Sequence, residues 1–172
     1  MANLSAGITI NRPVQEIFSF VSDYHNDWKW RSRRIDFQKL NDSDPAEFTA
    51  TQKYIPFINP RTQSSIKVIG FSVNEYIISQ IQFGKILVID ERRFFSPDTL
   101  LTRLEYSLKI EFSGILKILE QLLTRRLSQD IIADLDWLKE MLEKLNIPRS
   151  MEETTFQRQY LTAENHQLVE LN

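Results

Sequence analysis

The hydrophobic period of the chain changes most clearly near residue 112, and that change divides it. Up to residue 112 the dominant pattern is alternation of apolar and polar positions; beyond it, apolar positions recur every three or four residues. The first is the period of a half-buried strand and the second that of a helix. Alternation is cleanest where Leu104, Tyr106, Leu108, Ile110 and Phe112 interleave with Arg103, Glu105, Ser107, Lys109 and Glu111. One face of such a strand packs on a core and the other meets water. Residues 7–10, 48–55, 64–71, 76–83 and 85–95 also have strand character, and Ile35 and Phe37 alternate with polar neighbours. Residues 41–45 (NDSDP) are a turn by composition, prolines interrupt at 56 and 60, and Gly84 supplies a tight connection. Short links between consecutive strands make an antiparallel meander the simplest pairing.

Two helical stretches bracket these strands. Near the start, Asn11 can cap and Pro13 can open a helix whose face is Val14, Ile17, Phe18 and Val21. The polar run 22–27 breaks it into a second short turn, followed by Trp28 and Trp30. Residues 115–145 contain neither Gly nor Pro. Within them Leu116, Leu119, Leu123, Leu127, Ile131, Leu135, Leu138, Leu142 and Leu145 keep helical spacing, which predicts one long amphipathic helix. Ser113 is its expected N-cap, Asn146 and Pro148 its stop, and Glu140 with Lys144 an i,i+4 pair on its outer face. Its first third is apolar over too wide an arc for one seam. Deeper burial accounts for most of that arc; a wall turned toward a cavity is the functional alternative. The predicted fold class is α+β: a curved antiparallel sheet wrapped around a long C-terminal helix, with two short helices near the N-terminus.

Composition narrows the functional classes. The chain has 172 residues, 42% of them hydrophobic and 26% charged, which suits one domain with its own core. We expect that domain over residues 1–148 and a polar tail over 149–172, in which Phe156 and Tyr160 share a helical face and Leu168, Val169 and Leu171 form a weak apolar patch. A net charge of −2 gives no field to attract nucleic acid. There is no cysteine, so disulfides and thiolate chemistry are excluded. The four glycines stand far apart and form no phosphate loop. No cationic, apolar leader and no apolar run of membrane-spanning length is seen, so the expectation is a cytoplasmic protein without stable membrane insertion.

The run at 8–23, ITINRPVQEIFSFVSD, is similar to the opening of the helix-grip superfamily of START, Bet v 1 and polyketide-cyclase-like (SRPBCC) proteins. That opening is a strand followed by x-x-P-x-x-x-V/I-F-x-x-V-x-D and a downstream Trp, a place that Trp28 or Trp30 would fill. The run at 135–143, LDWLKEMLE, resembles the family's closing L-x-x-L-K-x-x-x-E. The resemblance spans residues 6–145. It implies a helix-grip fold with a cavity between sheet and long helix that holds lipids, quinones, hormones or aromatic polyketides. Some members are cyclases or dehydratases and many only bind and carry; their catalytic residues are not shared, so none transfers to this chain.

Candidate chemistry is sparse. There are two histidines. His25, among Asp23, Tyr24, Asn26 and Asp27, lacks metal-ligand spacing and reads as a solvated loop, and His166 lies in the tail, so no metal and no cofactor is expected. The most informative charged run is Asp90, Glu91, Arg92 and Arg93, inside an otherwise apolar strand. A regular strand would turn either Asp90 with Arg92 or Glu91 with Arg93 inward, a polar anchor in an apolar pocket. A bulge or strand end that leaves all four in water is the slightly preferred alternative, because an unpaired buried charge is costly. The segment from Trp28 to Arg34 interleaves aromatic and basic residues, a pattern that can contact RNA. One Trp packed at a cavity mouth with the cations solvated is the favoured reading.

Strand parity and helix face give a candidate cavity lining of Trp28, Trp30, Tyr54, Phe57, Phe83, Tyr106, Leu108, Ile110, Phe112, Ile115, Leu119 and Leu123, with Arg93 as the inward polar candidate. The phenols of Tyr54 and Tyr106 would need partners if buried. With no convincing catalytic set, the expected function is non-catalytic binding or carriage of a small hydrophobic molecule, lipid-, quinone- or polyketide-like. Cyclase or dehydratase chemistry on a polyketide-like substrate and a protein-interaction module are the alternatives, and a homodimer is left open.

Overall fold

The computed structural model of the protein describes residues 1–32, 35–39, 47–52, 63–98 and 100–144. Seven strands form one antiparallel sheet: β1 (Ala2–Ile10), β2 (Ile35–Lys39), β3 (Glu47–Gln52), β4 (Gln63–Ser72), β5 (Tyr76–Phe83), β6 (Leu87–Asp98) and β7 (Leu101–Phe112). Their order is β1-β7-β6-β5-β4-β3-β2, so the strands after β1 form a continuous meander and β1 closes against β7. The expected antiparallel pairing holds at each of these junctions. Gly84 takes a positive φ of 54° in the β5–β6 connection, where Ile86 N–H donates to the Phe83 carbonyl at 3.2 Å. A register shift in β4 between Val68 and Gly70 bends the sheet locally.

The helices are α1 (Val14–Ser22), α2 (Asp27–Trp30) and α3 (Glu120–Lys144), with a 3-10 turn at Tyr24–Asn26 between the first two. Two sequence expectations about caps are corrected. The first helix begins two residues later than Asn11 would set, with Pro13 as its N-cap and the Pro13 carbonyl accepting from Glu16 and Ile17. Asn11 instead donates its backbone N–H to Glu143 Oε1 at 2.8 Å. The long helix begins at Glu120 and not at 115; Gly114–Lys117 is a separate 3-10 turn, entered through a positive φ of 59° at Gly114. The expected stop signals beyond residue 144, and the tail, lie outside the described residues.

The core lies between the inner sheet face and the helices. Alternation brings Leu104, Tyr106, Leu108, Ile110 and Phe112 inward from β7, and Ile77, Ile81 and Phe83 inward from β5. Helix α3 answers with Leu123, Ile131, Leu135, Leu138 and Leu142. Helix α1 brings Phe18 against Phe71 and Phe95, with ring centroids 5.5 and 5.1 Å apart. Arg12 ties the β1–α1 junction to the end of α3: its Nε donates to the Leu142 carbonyl at 3.1 Å and its Nη2 to the Glu143 carbonyl at 3.4 Å. A cation there satisfies carbonyls that the last helical turn leaves open. The Glu140–Lys144 pair forms as expected.

The broad apolar arc at the start of the helix is only partly buried. Leu116 is 2% exposed, but Ile118 is 84% and Leu122 is 62% exposed. Deeper burial therefore does not explain those two residues; the 3-10 entry rotates them to the surface. Leu138→Ala, at a fully buried position, should cost about 2–5 kcal/mol, whereas Leu122→Ala should stay within about 0.5 kcal/mol of the parent. Urea unfolding followed by circular dichroism checks this contrast, and equal costs would mean that α3 presents a different face to the sheet.

Candidate functional site

β6 runs as a regular strand through the charged run, so alternation decides its fate. Glu91 and Arg93 point inward in phase with Leu87, Ile89 and Phe95, while Arg92 faces solvent. This corrects the preferred expectation that all four residues from 90 to 93 stay in water. Glu91 is 1% and Arg93 0% exposed. Burying such charges is tolerable only if they are paired.

The partners come from α2 and the residue that follows it. Asp27 is fully buried and takes a bidentate contact from Arg93, Nη1 to Oδ1 at 3.1 Å and Nη2 to Oδ2 at 2.7 Å. Arg93 Nε donates to Glu91 Oε1 at 2.6 Å, and its Nη1 also donates to the Val21 carbonyl in the last turn of α1. Arg31 closes the ring of charges. Its Nη2 donates to both Glu91 oxygens at 3.1 Å, and its Nε stands 3.2 Å from Asp27 Oδ2. Two arginines thus alternate with two carboxylates, and the quartet is neutral. The Tyr106 hydroxyl donates to Glu91 Oε2 at 2.7 Å and accepts from Arg31 Nη2 at 2.7 Å. Aromatic faces cover the cations: Arg93 lies 4.5 Å from the Tyr24 ring centroid and Arg31 4.9 Å from that of Trp30.

The expectation that the cations after Trp28 are solvated therefore fails for Arg31, whose side chain is only 11% exposed. Sequence reasoning also placed Asp27 in a solvated loop. The available signal was the i,i+4 spacing of Asp27 and Arg31 beside a tryptophan, combined with a strand that could bury an acid–arginine pair.

The proton states follow from this packing. Burial pushes the Glu91 carboxyl up, but Arg31 and Arg93, with hydrogen bonds from Tyr106 and Arg93, outweigh it and hold it at about 2. Burial, reinforced by the Glu91 carboxylate, holds the Tyr106 phenol well above its ordinary range despite Arg31. Burial also raises the Asp27 carboxyl against the pull of Arg31 and Arg93.

Next to the quartet, sheet and helix do not meet, and a cavity of about 80 Å³ remains. The sheet contributes Ile81, Leu87, Ile89, Leu108 and Phe112; α3 contributes Leu123, Leu127, Ile131 and Leu135. Trp30, Arg31, Glu91 and Tyr106 form one polar end, and Arg126, Asp130 and Asp134 belong to the helical wall. Trp30 meets Tyr106 edge to face, centroids 6.5 Å apart. Helix α2 is pinned to α3 by Trp137 Nε1, which donates to the Lys29 carbonyl at 3.1 Å, and by Ser32 N–H, which donates to Asp134 Oδ1 at 2.8 Å. At roughly 15 Å³ for each water, the space takes about five waters or one compact molecule.

Of the residues predicted to line a cavity, the structure brings together Trp30, Tyr106, Leu108, Phe112 and Leu123. Phe83, Ile110 and Arg93 are buried elsewhere in the core, and Leu119 is half-buried outside the cavity wall. Trp28 is 57% exposed and takes no part. Tyr54, Phe57 and the side chain of Ile115 lie outside the described residues. The missed walls, Ile81, Leu87, Ile89, Leu127, Ile131 and Leu135, were available from the same strand parity and helical spacing. His25 is exposed beside Asp23, and among the described residues no His, Asp or Glu cluster could hold a metal ion.

Two measurements probe the quartet. Arg93→Met removes the bidentate partner of the buried Asp27 and one of the two cations on Glu91, and should cost about 3–5 kcal/mol in urea unfolding. Glu91 has a depressed carboxyl, so the stability it contributes is complete above its ordinary value of 4.5 and is lost as pH falls through about 2. Asp27 carries the opposite sign, favouring the fold when protonated. Glu91→Gln should therefore flatten the acid limb of stability against pH by on the order of 3 kcal/mol. An unchanged limb would show that Glu91 is not held by the arginines.

No family model matches the chain, and no curated protein matches it. Solved structures do. A START superfamily protein from Mycobacterium smegmatis is 19% identical with a TM-score of 0.61, covering 81% of this chain and 98% of that one. A conserved protein from Geobacillus kaustophilus is 14% identical with a TM-score of 0.63, covering 83% and 96%. A protein from Deinococcus radiodurans is 14% identical with a TM-score of 0.62, covering 83% and 98%. Identities this low speak to architecture alone. The chain has a START/Bet v 1-like helix-grip fold.

Proposed function

We propose that this protein binds and carries a small hydrophobic molecule in the cavity between the sheet and α3, without transforming it. The observation that carries the reading is an apolar cavity bounded at one end by a buried ion quartet with paired charges. Apolar walls with a few fixed polar groups are the usual composition of a small-molecule site. The size of the cavity favours a compact guest over an extended lipid.

A cyclase or dehydratase would draw on Tyr106 and Glu91, which do converge at the polar end. Their proton states weigh against that role. Glu91 is held at about 2 and the Tyr106 phenol far above neutrality, so neither exchanges a proton readily near pH 7. Among the described residues no helix is long and apolar enough to cross a membrane.

Toluene is a suitable probe, being compact and devoid of polar groups. Titrated into the full chain, it should move the backbone amide resonances of Leu108, Leu127 and Ile131 and raise the unfolding free energy by about 1.4 kcal/mol at ten times its Kd. Leu127→Trp should fill the space and abolish both effects while circular dichroism stays unchanged. Toluene that leaves those amides unmoved would remove the reading.

A further inference from the structure

We propose that the cavity selects an uncharged ligand bearing a hydrogen-bond acceptor, such as a ketone, ester or amide carbonyl, and takes that acceptor against Trp30 and Arg31. The proposal rests on the reading of the cavity as a ligand site and adds the ligand's chemical class.

The first observation is an unmet donor. Trp30 lines the cavity and is 2% exposed, and its Nε1 has no hydrogen-bond partner among the described residues. A buried N–H in a folded chain is nearly always paired, so an unpaired one beside a cavity points to an occupant. The second donor is on the next residue. Arg31 commits Nη2 to Glu91 and Tyr106 and turns Nε toward Asp27, but Nη1 makes no hydrogen bond among the described residues. Tyr106 does not compete, because its one hydroxyl proton already goes to Glu91. The polar end therefore offers one buried unpaired donor, Trp30 Nε1, beside a guanidinium whose Nη1 solvent also reaches, and it asks for an acceptor.

Charge decides which acceptor. The arginines at this end are already balanced by Asp27 and Glu91, so a ligand carboxylate would arrive as an excess negative charge beside Glu91. An ammonium would meet donors at the Trp30 end. A pure hydrocarbon would leave the Trp30 N–H unpaired. A neutral acceptor satisfies the donors and disturbs no charge.

The test compares four probes of nearly equal shape on the full chain: acetophenone, α-methylstyrene, benzoate and 1-phenylethylamine. Acetophenone should bind about tenfold more tightly than α-methylstyrene, its isostere without an acceptor, as one net hydrogen bond allows. Benzoate and the amine should bind more weakly than acetophenone. The Trp30 indole N–H resonance, identified by elimination with Trp28→Phe and Trp137→Phe at exposed sites, should move downfield with acetophenone and not with α-methylstyrene. Trp30→Phe should narrow the tenfold preference to about threefold, with the α-methylstyrene affinity nearly unchanged; the resonance shift, measured on a chain that retains Trp30, does not depend on that variant's folding. Equal affinity for ketone and styrene overturns the proposal and leaves the cavity reading standing. Benzoate binding more tightly than acetophenone overturns it in favour of an anion site. If none of the four binds while toluene does, only the proposal falls; if toluene also fails, both fall.

Discussion

The packing of α2 against β6 depends on burying two arginines and two carboxylates together. A lone charge at Glu91 or Arg93 would be untenable inside the sheet, because desolvation costs several kcal/mol per ion. Alternation of sign removes that objection. Each arginine touches both carboxylates, and Arg93 also covers a carbonyl at the end of α1. The residues involved come from α2, the position after it, and β6. Their contacts span 60 to 66 residues of sequence. The quartet thereby fixes where the short helix sits on the sheet, a placement that a four-residue helix could not secure by apolar area alone.

That placement has a consequence for the helix opposite. With α2 held by β6 and pinned to α3 through Trp137 and Ser32, the span between α2 and the middle of α3 is set. The helical wall of the cavity therefore runs from Leu123, at the end of the predicted apolar arc, on through Leu127, Ile131 and Leu135. The entry turn at Gly114–Lys117 moves Ile118 and Leu122 out to solvent, away from the cavity that their apolar character suggested.

Periodicity carried most of the architecture. The alternation in β7 and the leucine spacing in α3 are local patterns, and local patterns survive translation into structure because side-chain direction follows backbone period. The five inward residues of β7 and the five buried residues of α3 lie where those periods put them. The site was less legible, for a physical reason. Whether Glu91 and Arg93 could face inward turned on partners dozens of residues away, and the i,i+4 spacing of Asp27 and Arg31 beside Trp30 marks a pair but does not say whether it is buried. Parity offered the inward arrangement; only the tertiary pairing made it affordable. The start of α3 failed for the opposite reason: its sequence is a good helix, and Gly114 imposes a 3-10 turn that apolar counting does not register.

The same electrostatics explain why space remains beside the quartet. An apolar void normally shrinks as neighbouring side chains relax into it. Here the residues at one end cannot follow. Glu91 accepts from Arg31, Arg93 and Tyr106 at once, and Arg31 is shared between Glu91, Asp27 and Tyr106. Moving any of them toward the cavity would break charge-assisted bonds in a medium of low dielectric, where each is worth more than in water. Trp30 is held in turn, packed edge-on against Tyr106 and under the Arg31 guanidinium. The opposite wall is a helix tied at its far end by Arg12. A rigid polar end and an anchored helix resist collapse from both sides, so the space beside the quartet persists.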